Sequence, residues 1–207
     1  CEKVGADVNE VVRGMRHDPR VGNAYLRAGI GFGGPCLGKD LHSLITLAEG
    51  EGYDPPLLRA VVERNERQVG EVVGKLKHFL GHVLYGKTIA AFGLAFKAGT
   101  NDVRNSLAIK TLDRLEQEGA VVRAHDPAAI KESQNVRPNF TYCDDPYETA
   151  NDADAILILT EWPSFKELDF KRLKESMASR YIVDGRNLLD PKSIADLGFD
   201  YVGIGRS

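Results

Sequence analysis

Apolar residues follow two different periods along this chain. Up to Leu80 they recur at helical spacing, and from Thr88 onward they gather into short runs divided by polar segments. Val4, Val8, Val11, Val12 and Met15 share one helical face, with Asp7 and Glu10 spaced as a capping box after Gly5 and a stop near His17-Asp18-Pro19. Leu41, Leu44, Ile45 and Ala48, after Lys39-Asp40, predict a second helix that starts within a few residues of Cys36. The stretch from Gly50 to Pro56 breaks it, and Pro56 suits the first turn of a third. From Leu57 to Leu80 one stripe continues for about six turns, roughly 36 Å. So long a stripe needs a long partner, either a core inside one subunit or a spine at a dimer interface whose register Asn65 fixes.

At Gly86 the pattern changes. Thr88 to Phe92, Val121 to Ala124, Ala155 to Leu159, Tyr181 to Val183 and Tyr201 to Ile204 read as strands, with Phe140 to Tyr142 weaker; a helix runs through Leu107, Ala108, Thr111, Leu112 and Leu115. The fold class is α/β: a helical segment over residues 1–85, then a Rossmann-like parallel-sheet domain over 86–207.

Ligands of such sheets bind beyond the carboxyl ends of the strands. That rule selects Phe96 and Lys97, Asn101 to Arg104, Thr160-Glu161-Trp162 and Asp184-Gly185-Arg186-Asn187. No G-x-G-x-x-G follows Phe92, so the expected ligand is a mononucleotide or nucleotide sugar gripped by Lys97, Arg104 and Arg186 rather than a dinucleotide. Taken singly, each of these cations also reads as a solvated surface charge.

The chemistry concentrates in Ala28-Gly29-Ile30-Gly31-Phe32-Gly33-Gly34-Pro35-Cys36-Leu37-Gly38-Lys39-Asp40. Cys36 falls at the start of the second helix, where unpaired N–H groups, the macrodipole and Lys39 all favour a thiolate. The plain alternative is a small buried cysteine beside a tight turn, but four glycines allow positive φ and close approach of a ligand to the main chain. Gly29-x-Gly31-x-x-Gly34 matches the dinucleotide fingerprint in letters only, because Asn23 to Arg27 is too short and polar for the strand that must precede it. Arg20 and Arg27 suit a phosphate or, equally, solvent.

Composition narrows the rest. The chain has 207 residues, 43% of them hydrophobic, which is enough for one large or two modest cores. A formal charge of -3 gives no general attraction for nucleic acid, and no apolar run approaches the roughly 18 residues of a membrane span. Cys1, Cys36 and Cys143 are odd in number and form no C-x-x-C pair, which fits a reducing cytoplasm. No metal site is expected, since His78 and His82 have no acidic or thiol neighbour in sequence. No signal peptide opens the chain, and its start inside ordered structure is expected to reflect a domain-sized piece of a longer protein.

Together these stretches resemble the UDP-glucose 6-dehydrogenases of the nucleotide-sugar dehydrogenase family: Val4-Gly5-Ala6-Asp7-Val8, Asp18-Pro19-Arg20-Val21-Gly22, Gly31 through Asp40, Gly93-Leu94-Ala95-Phe96-Lys97, Thr160-Glu161-Trp162 and Asp184-Gly185-Arg186-Asn187. The resemblance covers essentially the whole chain, and the last two motifs point to the UDP-glucose branch. It implies two-step oxidation of a sugar C6 alcohol by NAD, with Cys36 as nucleophile and Asp40 positioning water. It implies that Arg27, Ala28, Gly29, Ile30, Gly31, Phe32 and Gly33 hold the sugar diphosphate, with Phe96, Lys97 and Arg186 opposite. Lys39 and Arg104 would meet the cofactor, and Arg20 would enter the partner's site in a dimer built on the helix over 57–80. Family members usually carry Pro where this chain has Gly38, and their NAD-binding domain, with a catalytic lysine and asparagine, belongs upstream of Cys1. Alone, the chain is therefore expected to be inactive. The alternatives are a dehydrogenase of another nucleotide sugar and a non-catalytic UDP-sugar-binding scaffold.

Overall fold

Asp7 opens the first helix, α1 (Val8–Met15), by accepting the Asn9 N–H at 2.7 Å. Glu10 does not complete the capping box; it pairs with Arg13, a full charge at i+3 that outcompetes a neutral N–H. This is a computed structural model, and it describes residues 1–22 and 24–206. Asn23, part of the stretch too polar for a strand, and Ser207 lie outside the described residues. Helix α2 (Leu37–Gly50) begins at Cys36 as its N-cap, and α3 (Pro56–Phe79) begins on Pro56, as the pattern predicts.

Helices α1 and α2 bury no residue of their own. Helix α3 divides in two: Leu57 is 74% exposed near its start, whereas Val72, Val73 and Leu76 are buried in the core of the sheet. Each such buried aliphatic side chain is worth about 1.5–3 kcal/mol. Phe79, the last residue of α3, stacks on Tyr181 with ring centroids 5.0 Å apart.

The sheet comprises β1 (Thr88–Phe92), β2 (Val121–His125), β3 (Thr141–Tyr142), β4 (Ala155–Ile158), β5 (Tyr181–Asp184) and β6 (Asp200–Gly203), all parallel, in the order β3-β2-β1-β4-β5-β6. Strands buried on both faces read as continuous apolar runs, which is why the sequence betrays them. Helices α3 and α4 (Leu107–Gln117) cover one face; α6 (Pro146–Ala150), α7 (Phe170–Ser176) and α8 (Pro191–Asp196) cover the other. Helix α5 (Ile130–Val136) links β2 to β3. The strand order reverses between β1 and β4, so the ligand crevice opens beyond the carboxyl ends on either side of that point.

The two ends of the chain meet. Glu2 accepts the Gly205 N–H at 2.6 Å and pairs with Lys75 at 2.8 Å, while Asp7 pairs with Arg206 at 2.9 Å. The helical segment is thereby fastened to the turn after β6.

Candidate active site at the glycine-rich loop

The loop that precedes Cys36 lies across the carboxyl edge of the sheet, held from both sides. From the sheet side, the Ile30 N–H donates to the Gly185 carbonyl at 2.8 Å, and the Ile30 side chain is fully buried. From the helix side, Asn65 accepts the Phe32 N–H at 2.8 Å and donates to the Phe32 carbonyl at 2.9 Å, while Gln68 donates to the Gly29 carbonyl at 2.8 Å. Asn65 therefore sets the loop.

Gly33 and Gly34 are among the glycines this close approach needs. A Cβ on Gly33 would lie 2.5 Å from the Asn105 carbonyl oxygen. Gly34 has φ +88 and would put a Cβ 2.8 Å from the Phe96 ring, so both conformation and space demand glycine there. The chain then turns into α2, leaving Cys36 exposed at the N-terminal end of that helix.

Two cations flank the sulfur. Asp40, 2.5 Å from Lys39, is the main reason the Lys39 ammonium is held above its usual range, and Cys36 adds to the effect. Arg104 is likewise held up, chiefly by its hydrogen bonds to Asp102 and further by Cys36.

Arg186 is built into the wall. Its guanidinium donates to the carbonyls of Leu159 at 2.8 Å, Gly31 at 3.1 Å and Phe96 at 3.4 Å, with Glu161 3.4 Å away. Burial pulls its pKa below the usual arginine value, against the opposing charges of Glu161 and Asp184. Beside it opens a cleft of about 960 Å³ lined by Arg27, Ala28, Gly29, Gly31, Phe32, Asn65, Gln68 and Arg186. Gly33 and Lys39 line a smaller recess of about 240 Å³ behind the loop.

The remaining candidates are engaged differently. Lys97 sits over the Phe96 ring, 5.5 Å from its centroid. Arg20 is exposed and pairs with Asp18 on the turn after α1. Trp162 does not face the cleft; its indole N–H donates to Asp126 at 3.1 Å. Asp126 also accepts the N–H groups of Leu94 at 2.7 Å and Ala95 at 3.1 Å, the donors that a dinucleotide pyrophosphate would need after β1. The sheet does not fit a dinucleotide. Sequence reasoning missed Gln68, Asn105 and Asp126 as organisers of the site; the only signal was a polar pair, Asn65 and Gln68, interrupting an apolar stripe.

Comparison with known proteins agrees with this arrangement. Residues 1–67 match the central domain of the UDP-glucose/GDP-mannose dehydrogenase family, and residues 90–191 match its UDP binding domain. The chain belongs to that family. It is 44% identical over 207 residues to the UDP-glucose 6-dehydrogenase TuaD of Bacillus subtilis, covering 100% of this chain and 45% of that protein. A UDP-glucose 6-dehydrogenase of Pseudomonas aeruginosa is 43% identical, with 100% of this chain and 47% of that protein covered. A UDP-glucose dehydrogenase structure from Pyrobaculum islandicum superposes with a TM-score of 0.88 at 32% identity, covering 99% of this chain and 45% of that one. The chain thus spans about half the length of the curated relatives it matches. Within the family fold, the described residues include no helix long and apolar enough to cross a membrane.

Proposed function

We propose that this chain is the central and UDP-binding part of an NAD-dependent UDP-glucose 6-dehydrogenase of the cytoplasm, the enzyme that oxidises UDP-glucose to UDP-glucuronate. The observation that carries this reading is an exposed Cys36 at a helix N-terminus, flanked by Lys39 and Arg104, at the end of a loop seated on the sheet. NAD would supply the oxidant, two molecules in succession each taking one of the two hydrides that leave C6. Lys39 and Arg104 are the residues of this chain suited to meet it, since the sheet has spent its own turn N–H groups on Asp126.

Arg27 and the main chain from Ala28 to Gly33 hold the diphosphate and sugar, with Phe96, Lys97 and Arg186 forming the opposite wall. The Cys36 thiolate adds to the C6 aldehyde, and the resulting thiohemiacetal loses hydride to become a thioester. Water placed by Asp40 then hydrolyses the thioester, which releases the carboxylate and restores the thiol. The exposed Leu44, Leu47, Leu57 and Val61 support a homodimer through α2 and the first half of α3, in which Arg20 reaches the partner's site.

A second substrate has some support, because a UDP-D-ManNAc dehydrogenase structure from Pyrococcus horikoshii superposes with a TM-score of 0.83 at 32% identity. Calorimetry with UDP, GDP and UDP-glucose tests the assignment. UDP binds at least tenfold more tightly than GDP, and UDP-glucose slows iodoacetamide alkylation of Cys36. Tighter GDP binding, or alkylation indifferent to UDP-glucose, overturns it. By itself the chain forms no NADH from NAD and UDP-glucose; steady turnover would show that the cofactor site is misplaced.

A further inference from the structure

We infer that the sheet domain carries a second ligand site, for an uncharged nucleoside, in the cleft beyond the carboxyl ends of β2, β3 and β4. This cleft has a volume of about 520 Å³ and shares no lining residue with the cleft beside Arg186. Its size falls within the roughly 300–1,000 Å³ of small-molecule sites. It lies on the β2 side of the switch point, whereas the glycine-rich loop fills the β5 side through Ile30 and Gly185. One half of the crevice is therefore occupied by the chain itself, and the other half stays open.

The lining selects hydrogen-bond donors rather than anions. His125 is 7% exposed, and its Nδ1 lies 2.9 Å from the Cys143 carbonyl, so Nδ1 carries the proton and donates. Its Nε2 makes no hydrogen bond among the described residues and can accept one in the neutral ring. Asp126, which directly follows β2 where dinucleotide sheets use an acid to hold ribose, is saturated: it accepts the N–H groups of Leu94, Ala95, Ala128, Ala129 and Trp162. The two backbone N–H groups ahead of α5 are thus unavailable to a phosphate. Lys131 is offset by Asp144, both exposed at the rim, which leaves the cleft without the net positive charge a di- or triphosphate requires. Pro127 and Pro146 supply apolar walls for a flat heterocycle, backed from the core by the buried Phe165, and the hydroxyl or amino donors of the ligand reach His125 Nε2 and the Asp144 carboxylate.

Adenosine is the probe, because UDP and uridine address the other cleft. In calorimetry or ligand-observed NMR with the 207-residue chain, adenosine binds saturably at one site and saturating UDP does not displace it. Ser164→Trp, an exposed position on the rim, fills the cleft and weakens adenosine at least tenfold with an unchanged melting midpoint; His125→Phe, where it folds, does the same. AMP binds no more tightly than adenosine. The inference is overturned by the absence of saturable binding up to about 1 mM, an affinity near −4 kcal/mol, by displacement with UDP, or by Ser164→Trp binding as tightly as the parent. AMP binding tenfold tighter than adenosine would likewise refute an uncharged-nucleoside site.

Discussion

The Arg186 guanidinium donates to the Gly31 carbonyl at 3.1 Å across 155 residues of sequence. With its bonds to Leu159 and Phe96, it ties the glycine-rich loop, the turn after β1 and the end of β4 into one unit. A lysine offers one compact ammonium and cannot span three carbonyls in a plane. Arg186→Lys is expected to cost about 2–4 kcal/mol, read as a lower urea midpoint, and to weaken UDP binding in the same preparation.

Asn65 satisfies both the N–H and the carbonyl of Phe32. Asn65→Ala leaves both the N–H and the carbonyl of half-buried Phe32 without a partner, at an expected cost of about 1–3 kcal/mol. Thermal unfolding should show a midpoint lower by roughly 2–4 °C for each kcal/mol lost. An unchanged midpoint would mean that the loop is held by the sheet alone.

Two glycines six residues or fewer apart should respond with opposite sign. Gly33→Ala drives a methyl to 2.5 Å from the Asn105 carbonyl oxygen and should destabilise by about 1–3 kcal/mol. Gly38 lies inside α2 with nothing within 4 Å of an added Cβ, and Gly38→Ala should stabilise by about 0.5–1 kcal/mol. Denaturant midpoints for the two variants check the pair.

Acid should loosen the junction between the chain ends. Burial pushes the Glu2 carboxyl up, but Lys75 and the Gly205 N–H outweigh it, leaving the pKa below the usual value. At Asp7 burial also pushes up, and Asn9 and Arg206 outweigh it. A carboxylate with a depressed folded pKa contributes stability that is present above its unfolded pKa and is lost as pH falls through the folded value. Stability should therefore decline below about pH 4.5, and Glu2→Gln should flatten that limb of the profile. A profile unchanged by Glu2→Gln would show that the junction does not contribute.

The cysteines should separate by reactivity. Cys36 is exposed beside two cations, whereas Cys143 is buried and burial pushes its thiol up. Peptide mapping after brief iodoacetamide treatment at neutral pH should find Cys36 alkylated and Cys143 intact until the chain is unfolded. Comparable labelling of both would contradict the exposure described for Cys36.

The chain's periodicity was sufficient to read the order of elements, the parallel α/β class and a helix starting within a few residues of Cys36, because burial of a whole face imprints itself on neighbours a few residues apart. It was not sufficient to assign partners. Asn65 read as a register device on an apolar stripe, yet its bonds run to Phe32, 33 residues away. Arg186 read as a free phosphate grip, and Asp126 did not stand out at all, although five N–H groups converge on it. A hydrogen bond is a short, directional contact between two groups whose separation along the chain carries no period. Only the packing of α3, the loop and the sheet edge decided which polar groups met, and so which of them shape the space beside the thiol.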